Sequence, residues 1–333
     1  MRIDHHPVKT IENKAKVVAT FFCWQKKEIS KDLFHRYWRD IHAVWAARTP
    51  GFYQYRQLHL DRVDPNLLSD LEGIITDLPK EDQPNGMAHI AYSSSFIANL
   101  LRKPFALKQA DEDNAIFVSK NTYQQSILPL SRTIIDKINN PDTNGTLQQP
   151  RYVLAFIKNT GIKEEDFRNF LNNKLCEAWK KRNEVQRLRL ELMNPHKNEP
   201  NSPKGVNQTW DENKQYQAWI ELELTEETLL LSMFTNLPDL NHYISAVHAY
   251  PIREIYTIVF AGKPTLVGLR GYQAVQTIEE AKADFQKSKD VLKFTYDRAI
   301  NGGSLISPSF YVILVSILII GILESVGDLL IGL

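Results

Sequence analysis

The residues best suited to chemistry lie on a helix predicted from Ser30 to about Arg48, where Asp40 and His42 stand two positions apart. An unperturbed imidazole titrates near pH ~6.5, so His42 can exchange protons at neutral pH. A neighbouring carboxylate can orient such a ring and stabilise its protonated form. We therefore predict that His42 is a general acid–base and that Asp40 is its catalytic partner. The alternative is a partly buried structural histidine bonded to a loop carbonyl.

Aromatic and imidazole side chains near this pair could bind a small apolar molecule. Along the helix, apolar residues recur at three- and four-residue steps, which predicts an amphipathic stripe that faces a sheet. Other candidates lie on predicted strands, where alternate residues share one face. The predicted substrate-binding residues are Tyr37, Trp38, Trp24, Tyr55, His59 and His89. Ordinary core packing is the competing interpretation.

A metal site is a weaker alternative. The histidines at positions 42, 59 and 89 could converge with Asp40, but their spacings match no metal-binding motif. The chain also contains no GxSxG element, no phosphate-binding glycine loop and no dinucleotide fingerprint. We therefore predict no metal and no organic cofactor, and we disfavour hydrolase, kinase and Rossmann-type chemistry.

Composition excludes further classes of protein. The 333 residues carry 40 Lys and Arg against 39 Asp and Glu, a formal net charge of +1. Phosphate binding needs a concentrated basic excess, so nucleic acid is not an expected partner. Cys23 and Cys176 are too few for a disulfide framework and suggest a reducing compartment. The first 16 residues are polar and charged, which is unlike a secretory signal.

An internal repeat organises the chain. Thr20–Phe34 aligns without a gap with Val153–Phe167, at an offset of 133 residues. In both segments an apolar run is followed by a polar turn, an isoleucine and the acidic first turn of a helix. Each half is predicted as β-α-β-β-α-β, the split βαβ or ferredoxin-like order. The predicted fold class is α+β: two ferredoxin-like modules packed sheet to sheet as an intrachain dimeric α/β barrel, plus a C-terminal hydrophobic helix.

Turn-forming and hydrophobic stretches set the predicted boundaries. The predicted regions are an N-terminal module at 1–138, a linker at 139–150, a degenerate second module at 151–276, an amphipathic helix and hinge at 277–303 and a hydrophobic tail at 304–333. Strands are predicted near 17–25, 52–63, 87–93, 115–124, 151–158, 185–192, 216–224 and 253–260. Further helices are predicted near 96–102, 163–182, 226–235, 238–249 and 277–299.

The first helix carries a motif that resembles the EthD family of dimeric α/β-barrel proteins. Residues 34–42 have the form F-x-x-Y-W-x-x-x-H, and Pro50-Gly51 leads into the next strand as in that family. Residues 110–117 resemble its acidic turn before the fourth strand. The second half departs from the motif, because Leu175 stands at the position of His42 and Asn173 at that of Asp40. The resemblance implies a small apolar-lined cavity and tailoring or breakdown of small organic molecules, often without a cofactor.

The C-terminal segment is strongly apolar. Leu305–Leu323 is a run of 19 residues without a charge, close to the ~20 needed to span a bilayer. Lys293 and Arg298 flank its near side, which predicts a single-pass anchor with the globular body on the cytoplasmic side of a membrane. The rival is a helix buried in a homo-oligomer, with Glu324 and Asp328 on its polar face.

These observations predict a membrane-associated protein that binds a small hydrophobic or aromatic molecule. The leading hypothesis is a cofactor-independent lyase, isomerase or oxygenase that uses His42 as acid–base. The alternatives are a non-catalytic ligand-binding or scaffolding module at the membrane, and haem binding through His42.

Overall fold

The computed structural model describes residues 15–69, 71–101, 112–138, 144–198 and 205–300. The first half begins with β1, Val17–Gln25, and continues into the helix α1. α1 has three parts, namely an α-helical segment Lys31–Tyr37, a π-helical turn Trp38–His42 and a last turn Ala43–Ala46. The remaining elements of this half are β2 (Phe52–Leu60), β3 (Gly86–Tyr92), α2 (Ser95–Leu101), α3 (112–117), β4 (Val118–Gln125) and β5 (Arg132–Asp136).

The second half has closely corresponding elements. β6 (Asn144–Thr146) and β7 (Arg151–Lys158) lead into α4, which again consists of an α-helical segment Glu164–Phe170, a π-helical turn Leu171–Leu175 and a last turn Cys176–Trp179. The other elements are β8 (Val185–Leu192), β9 (Ala218–Leu224), α5 (Leu240–Tyr243), β10 (Ile244–Phe260), β11 (Lys263–Pro264), α6 (Leu266–Arg270), α7 (Tyr272–Glu280) and α8 (Lys289–Ile300). All three parts of α1 and α4 correspond at the offset of 133.

The strands form an antiparallel sheet that closes into a barrel. In the first half the order is β4-β1-β3-β2, and in the second half it is β10-β7-β9-β8. β2 pairs with β10, which joins the halves at one place. β5 pairs with β8 at the other. The connection at 126–131 links β4 to β5 and begins with Ser126, which forms a bridge with Met193. The predicted α+β architecture with an antiparallel sheet is confirmed.

β10 is the main departure from the predicted elements. A helix was expected at 238–249, but helical structure ends at Tyr243 and the strand begins at Ile244. The first part of β10 pairs with β7 and its second part pairs with β2, with Pro251 near the change of partner. Proline lacks a backbone N–H, so it is tolerated where the hydrogen-bond ladder changes. The hydrogen bonds that β10 forms with β7 and β2 therefore outweigh the local helical pattern.

The ends of the predicted regions also differ in detail. Residues 144–146 of the predicted linker form β6, which pairs with β10. The helix expected at 277–299 is divided, because α7 ends at Glu280 and a 3₁₀ turn at Asp284–Lys287 precedes α8. The hinge from position 301 onward and the hydrophobic tail at 304–333 lie outside the described residues. Within the part of the chain that is described, no helix is both long and apolar enough to cross a bilayer.

Both halves contribute to the barrel interior. Its apolar part includes Phe22, Met87, Trp219 and Tyr250. Beside it lies a buried ion network centred on Glu221, which receives two hydrogen bonds from Arg56, of 2.9 and 2.7 Å. Burial raises the pKa of Glu221, but the facing guanidinium groups outweigh this effect and hold it well below its usual range. The network therefore fixes the two halves against each other through charge pairing as well as apolar contact.

Between α1 and β2, two buried histidines should make stability depend on pH. His35 and His59 stack with ring centroids 4.6 Å apart, and neither is more than 2% exposed. Burial, assisted by the charges of Arg253, Lys31 and Arg39, lowers the pKa of His35 to about 3. Burial and then the neighbouring His35 lower the pKa of His59 well below its ordinary value. Both rings are therefore neutral in the folded chain.

The unfolded chain binds more protons below pH ~6.5, so stability should fall as the pH decreases from that value, by about 2 kcal/mol for each ring at pH ~5. Carboxylates with depressed pKa values contribute mainly below pH ~5, where the unfolded carboxylates begin to bind protons. Urea midpoints measured from pH 7 to pH 5 test this expectation, with His35→Phe expected to reduce the slope. If the urea midpoints of the wild type and of His35→Phe change in parallel with pH, groups other than His35 cause the pH dependence.

Candidate functional site

A cavity of about 630 Å³ lies between α1 and the outer face of the first half of the sheet. α1 contributes Trp38, His42 and Trp45, and the 112–117 helix contributes Phe117. The strands supply most of the remaining wall through Phe21, Cys23, Phe52, Tyr55, Ala88, Ile90, Tyr92, Asn121, Tyr123 and Gln125. The volume falls within the ~300–1,000 Å³ that small-molecule sites occupy.

His42 is held in the cavity wall by a carboxylate that sequence reasoning did not assign to it. Its Nδ1 lies 2.5 Å from Oδ2 of Asp113, and the Tyr37 hydroxyl donates to Oδ1 of the same carboxylate at 2.6 Å. Ring contacts with Phe117 and Trp45 hold the imidazole between them, with centroids 5.3 and 6.2 Å away. The result is a linked Tyr37–Asp113–His42 group at the boundary between helix and cavity.

The charge of this group determines the histidine tautomer. Burial raises the pKa of Asp113, but the hydrogen bond and charge of His42 and the hydrogen bond of Tyr37 outweigh it, so the net shift is downward. Burial and the adjacent carboxylate raise the pKa of Tyr37, which stays a protonated donor. An ionised carboxylate can only accept hydrogen bonds, so Nδ1 of His42 must carry a proton. In the neutral ring, Nε2 is then left with its lone pair as a base, and no described residue bonds to it.

Asp40 does not take the partner role predicted for it. Its Oδ2 pairs with Arg39 Nε at 2.9 Å, and its Oδ1 accepts the backbone N–H of Gln273 at 3.0 Å. Gln273 is the second residue of α7, so Asp40 caps the start of that helix. A residue two positions from His42 projects from a different face of the helix, whereas Asp113 reaches the ring from α3, the short helix before β4.

The other predicted residues fall into two groups. Trp38 and Tyr55 line the cavity, and Tyr37 supports it through Asp113. His59 stacks on Trp38 at 4.9 Å and is buried behind it, outside the cavity wall. Trp24 and His89 alternate with the cavity-lining Cys23 and Ala88, so they face the barrel interior. There His89 Nε2 lies 2.9 Å from Glu191, and Trp24 donates to the carbonyl of Asp82.

These positions do not form the metal site considered from the sequence. His42 and His89 lie on opposite sides of the sheet, and Asp40 is occupied at the end of α7. Among the residues that the structure describes, no group of three or more histidine, cysteine or acidic side chains is arranged to hold a metal ion.

Residues of the second half complete the wall of the cavity in the first half. Asn194, Pro195, His196, Lys197 and Gln208 line the cavity beside β4. His196 anchors this segment, because its Nε2 lies 2.7 Å from the carbonyl of Gln208 and its Nδ1 lies 3.2 Å from the Tyr123 amide nitrogen. A carbonyl can only accept, so Nε2 donates to Gln208, and Nδ1 also lies 3.0 Å from the carbonyl of Tyr123. None of the site residues predicted from the sequence lies in this stretch.

The matching helices show why the first half has room for a cavity. At the offset of 133, Ala46 corresponds to Trp179 and His42 to Leu175, in helices whose segments coincide. Trp179 and Leu175 are no more than 1% exposed and belong to the second module's apolar core. A small alanine in α1 thus leaves open the volume that an indole fills in α4.

The cavity wall depends on a close approach between Gly86 and Trp38. A Cβ at position 86 would lie 2.2 Å from Cζ3 of that indole, far inside contact distance. We expect Gly86→Ala to destabilise the chain by about 1–3 kcal/mol and to displace the indole from the cavity. Urea midpoints and intrinsic fluorescence measure the two effects. The double variant with Trp38→Phe should recover part of the loss, and equal stability of Gly86→Ala and the wild type would contradict this account.

Comparison with known proteins gives only remote likenesses. No family model matches the chain, and no curated protein matches it in sequence. An anthrone oxidase-like protein aligns at 7% identity over 74% of this chain and 95% of its own, with a TM-score of 0.44. A provisionally assigned monooxygenase from Lactobacillus acidophilus NCFM aligns at 8% identity over 72% and 95%, with a TM-score of 0.36.

A dye-decolorizing peroxidase from Bacteroides thetaiotaomicron VPI-5482 aligns at 11% identity over 80% of this chain and 99% of its own, with a TM-score of 0.38. At such scores, none of these likenesses supports an inference about the chemistry of this chain. Its own strand pairing and helix placement define an antiparallel α+β barrel with a candidate site in the first half.

Proposed function

We propose that this chain is an enzyme that acts on a small hydrophobic or aromatic molecule without a bound cofactor, and that Nε2 of His42 is its general base. The observation that carries the proposal is the Tyr37–Asp113–His42 group in the wall of an aromatic-lined cavity. Asp113 orients the imidazole and stabilises the imidazolium that forms when Nε2 accepts a proton.

The proposed first step is removal of a proton from an acidic C–H or O–H bond of the ligand, which leaves an imidazolium and a ligand anion. In an isomerisation, the imidazolium returns the proton to a different carbon of the anion. In a dehydration, it protonates a departing hydroxyl group, which leaves as water. In an oxygenation, the anion would instead react with dioxygen as the second substrate to give a peroxide, which the imidazolium protonates and which then loses water to leave a carbonyl group. Each route begins with the same base in the same place.

The EthD-type motif in α1 and the matched halves support a second part of the proposal. We propose that the chain is a tandem pair of ferredoxin-like modules related to the EthD family, of which only the first keeps a chemically active histidine. The coincidence of α1 and α4 in all three segments at the offset of 133 supports the duplication.

Ligand capture tests the proposed site before any reaction is known. Native mass spectrometry of the full-length chain should detect bound small molecules, and a panel of aromatic alcohols, ketones and acids can then be screened for binding and turnover. Ala46→Trp, which places in α1 the side chain that α4 already carries, should fill the cavity and abolish binding. Unchanged binding in Ala46→Trp would show that the cavity is not the binding site. Binding without turnover across the panel would favour a non-catalytic ligand carrier.

Membrane association remains a prediction from the sequence of the tail. Deletion of residues 304–333 should leave a folded protein that no longer sediments with membranes after an alkaline carbonate wash, because the uncharged run is the apolar segment proposed to enter lipid. If the full-length chain stays in the supernatant as a defined oligomer that the deletion dissociates, the tail is an oligomer interface.

A further inference from the structure

The cavity has two chemically different sides. Residues from α1 and from β1 to β3 make one side almost entirely aromatic and aliphatic, including Trp38, Phe52, Tyr55 and Ile90. The other side is formed by the 112–117 helix, by β4 and by the second half. It carries the amide side chains Asn114, Asn121, Gln125, Asn194 and Gln208. A wholly apolar ligand would leave the second side unused.

The amide side provides free hydrogen-bonding groups. The side chains of Asn114, Asn121, Gln125 and Gln208 hydrogen-bond to no described residue, although none of the four is fully exposed. Each amide offers two N–H donors and one carbonyl acceptor. Polar groups that lack a protein partner but border a cavity are suited to bind polar groups of a ligand.

The formal charge at the cavity has one sign. Lys197 is the only lysine or arginine among the described lining residues, and no aspartate or glutamate joins it there. Asp113, the nearest carboxylate assigned to the site, is engaged by His42 and Tyr37 behind the wall. Burial raises the pKa of the lining Cys23 thiol to about 12, so it adds no negative charge. The anchored His196 keeps Lys197 beside β4 through its contacts with Tyr123 and Gln208.

We propose that the ligand is an aromatic carboxylate, whose ring lies against the aromatic side and whose carboxylate lies at Lys197 and the amide side chains. This inference deepens the proposed function and rests on it. It also assigns the second half a role in the first half's site: the segment of Asn194 to Lys197 would select the ligand by charge.

A matched pair of ligands tests the charge preference. Binding of 2-naphthoate and of its neutral isostere 2-naphthamide to the full-length chain is measured by titration calorimetry at low and high ionic strength. We expect the carboxylate to bind roughly three- to tenfold more tightly, the range for a partly exposed charged hydrogen bond. Salt should reduce that preference, because it screens exposed charges.

Lys197→Met should abolish the preference, because it weakens the binding of naphthoate more than the binding of naphthamide. Lys180→Met, at an exposed lysine directly after α4, is the control and should retain the preference. If both compounds bind equally and Ala46→Trp blocks both, the charge inference fails and the proposed site stands. If neither compound binds, or if Ala46→Trp leaves binding intact, both the inference and the proposed site fail.

Discussion

Exchange of His42 for alanine should lower turnover by about 10²–10⁴-fold, the range that a general acid–base contributes. The expectation follows from the position of the imidazole, which presents Nε2 without a partner among the described residues and is oriented through Nδ1 by Asp113. Ligand affinity should change much less, because the aromatic wall of the cavity stays in place. Single-turnover rates and binding constants, measured with a substrate from the proposed panel, separate these two effects.

Neighbouring variants make this expectation specific. Asp113→Asn removes the charge that stabilises the imidazolium and should give an intermediate loss, whereas Tyr37→Phe removes one donor and should change the rate by less than about tenfold. His242→Ala, at an exposed histidine of α5, is the matched control and should have no effect. A wild-type rate in His42→Ala, together with blocked binding in Ala46→Trp, would make His42 a structural residue.

Loss of the charge at Glu221 should cause the largest change in stability. Its carboxylate lies within 2.7 Å of Arg56, 3.2 Å of Arg151 and 3.1 Å of Arg187, and its side chain is fully buried. Glu221→Gln keeps the shape but leaves three buried guanidinium groups with one negative charge fewer. Removal of one partner from a buried ion pair costs about 3–5 kcal/mol, so we expect a loss of at least that size. Urea unfolding followed by circular dichroism measures it.

The matched control is a surface ion pair. Asp32 pairs with Arg36 at 2.8 Å, but both side chains are more than half exposed, and such pairs contribute little. Asp32→Asn should therefore leave the urea midpoint nearly unchanged. A Glu221→Gln protein as stable as the wild type would show that the remaining acidic groups of the network compensate for the lost charge.

Local pattern predicted much of the fold because the patterns are strong where the elements are regular. The strands predicted at 151–158 and 185–192 have the same bounds in the structure. The offset of 133 also predicts the position of α4. Strand alternation did not reveal which face meets water. Arg187, Arg189 and Glu191 look like a solvated face in the sequence, yet they point into the barrel. There Arg187 pairs with Glu221 of β9, Arg189 pairs with Glu191 of its own strand, and Glu191 contacts His89 of the first half. Only the pairing of the two halves determines that orientation.

The site was predictable in part for a similar reason. A helical motif is local, so His42, Trp38 and Tyr37 could be found from their spacing. The contact of His42 with Asp113 joins residues 71 positions apart, and the contact of His196 with Tyr123 joins residues 73 positions apart. Each depends on how a connection folds back over the sheet, which a single sequence does not encode in a periodic pattern.

Closure of the barrel within one polypeptide fixes the stoichiometry of its halves. If two separate chains formed this barrel, their association would weaken on dilution, and a substitution would enter both copies of the surface at once. Here each half meets its partner at an effective concentration set by the connecting chain. One half can therefore change its residues independently of the other, which permits a division of labour: His42 on one side, and on the other a segment whose Lys197 borders the same cavity.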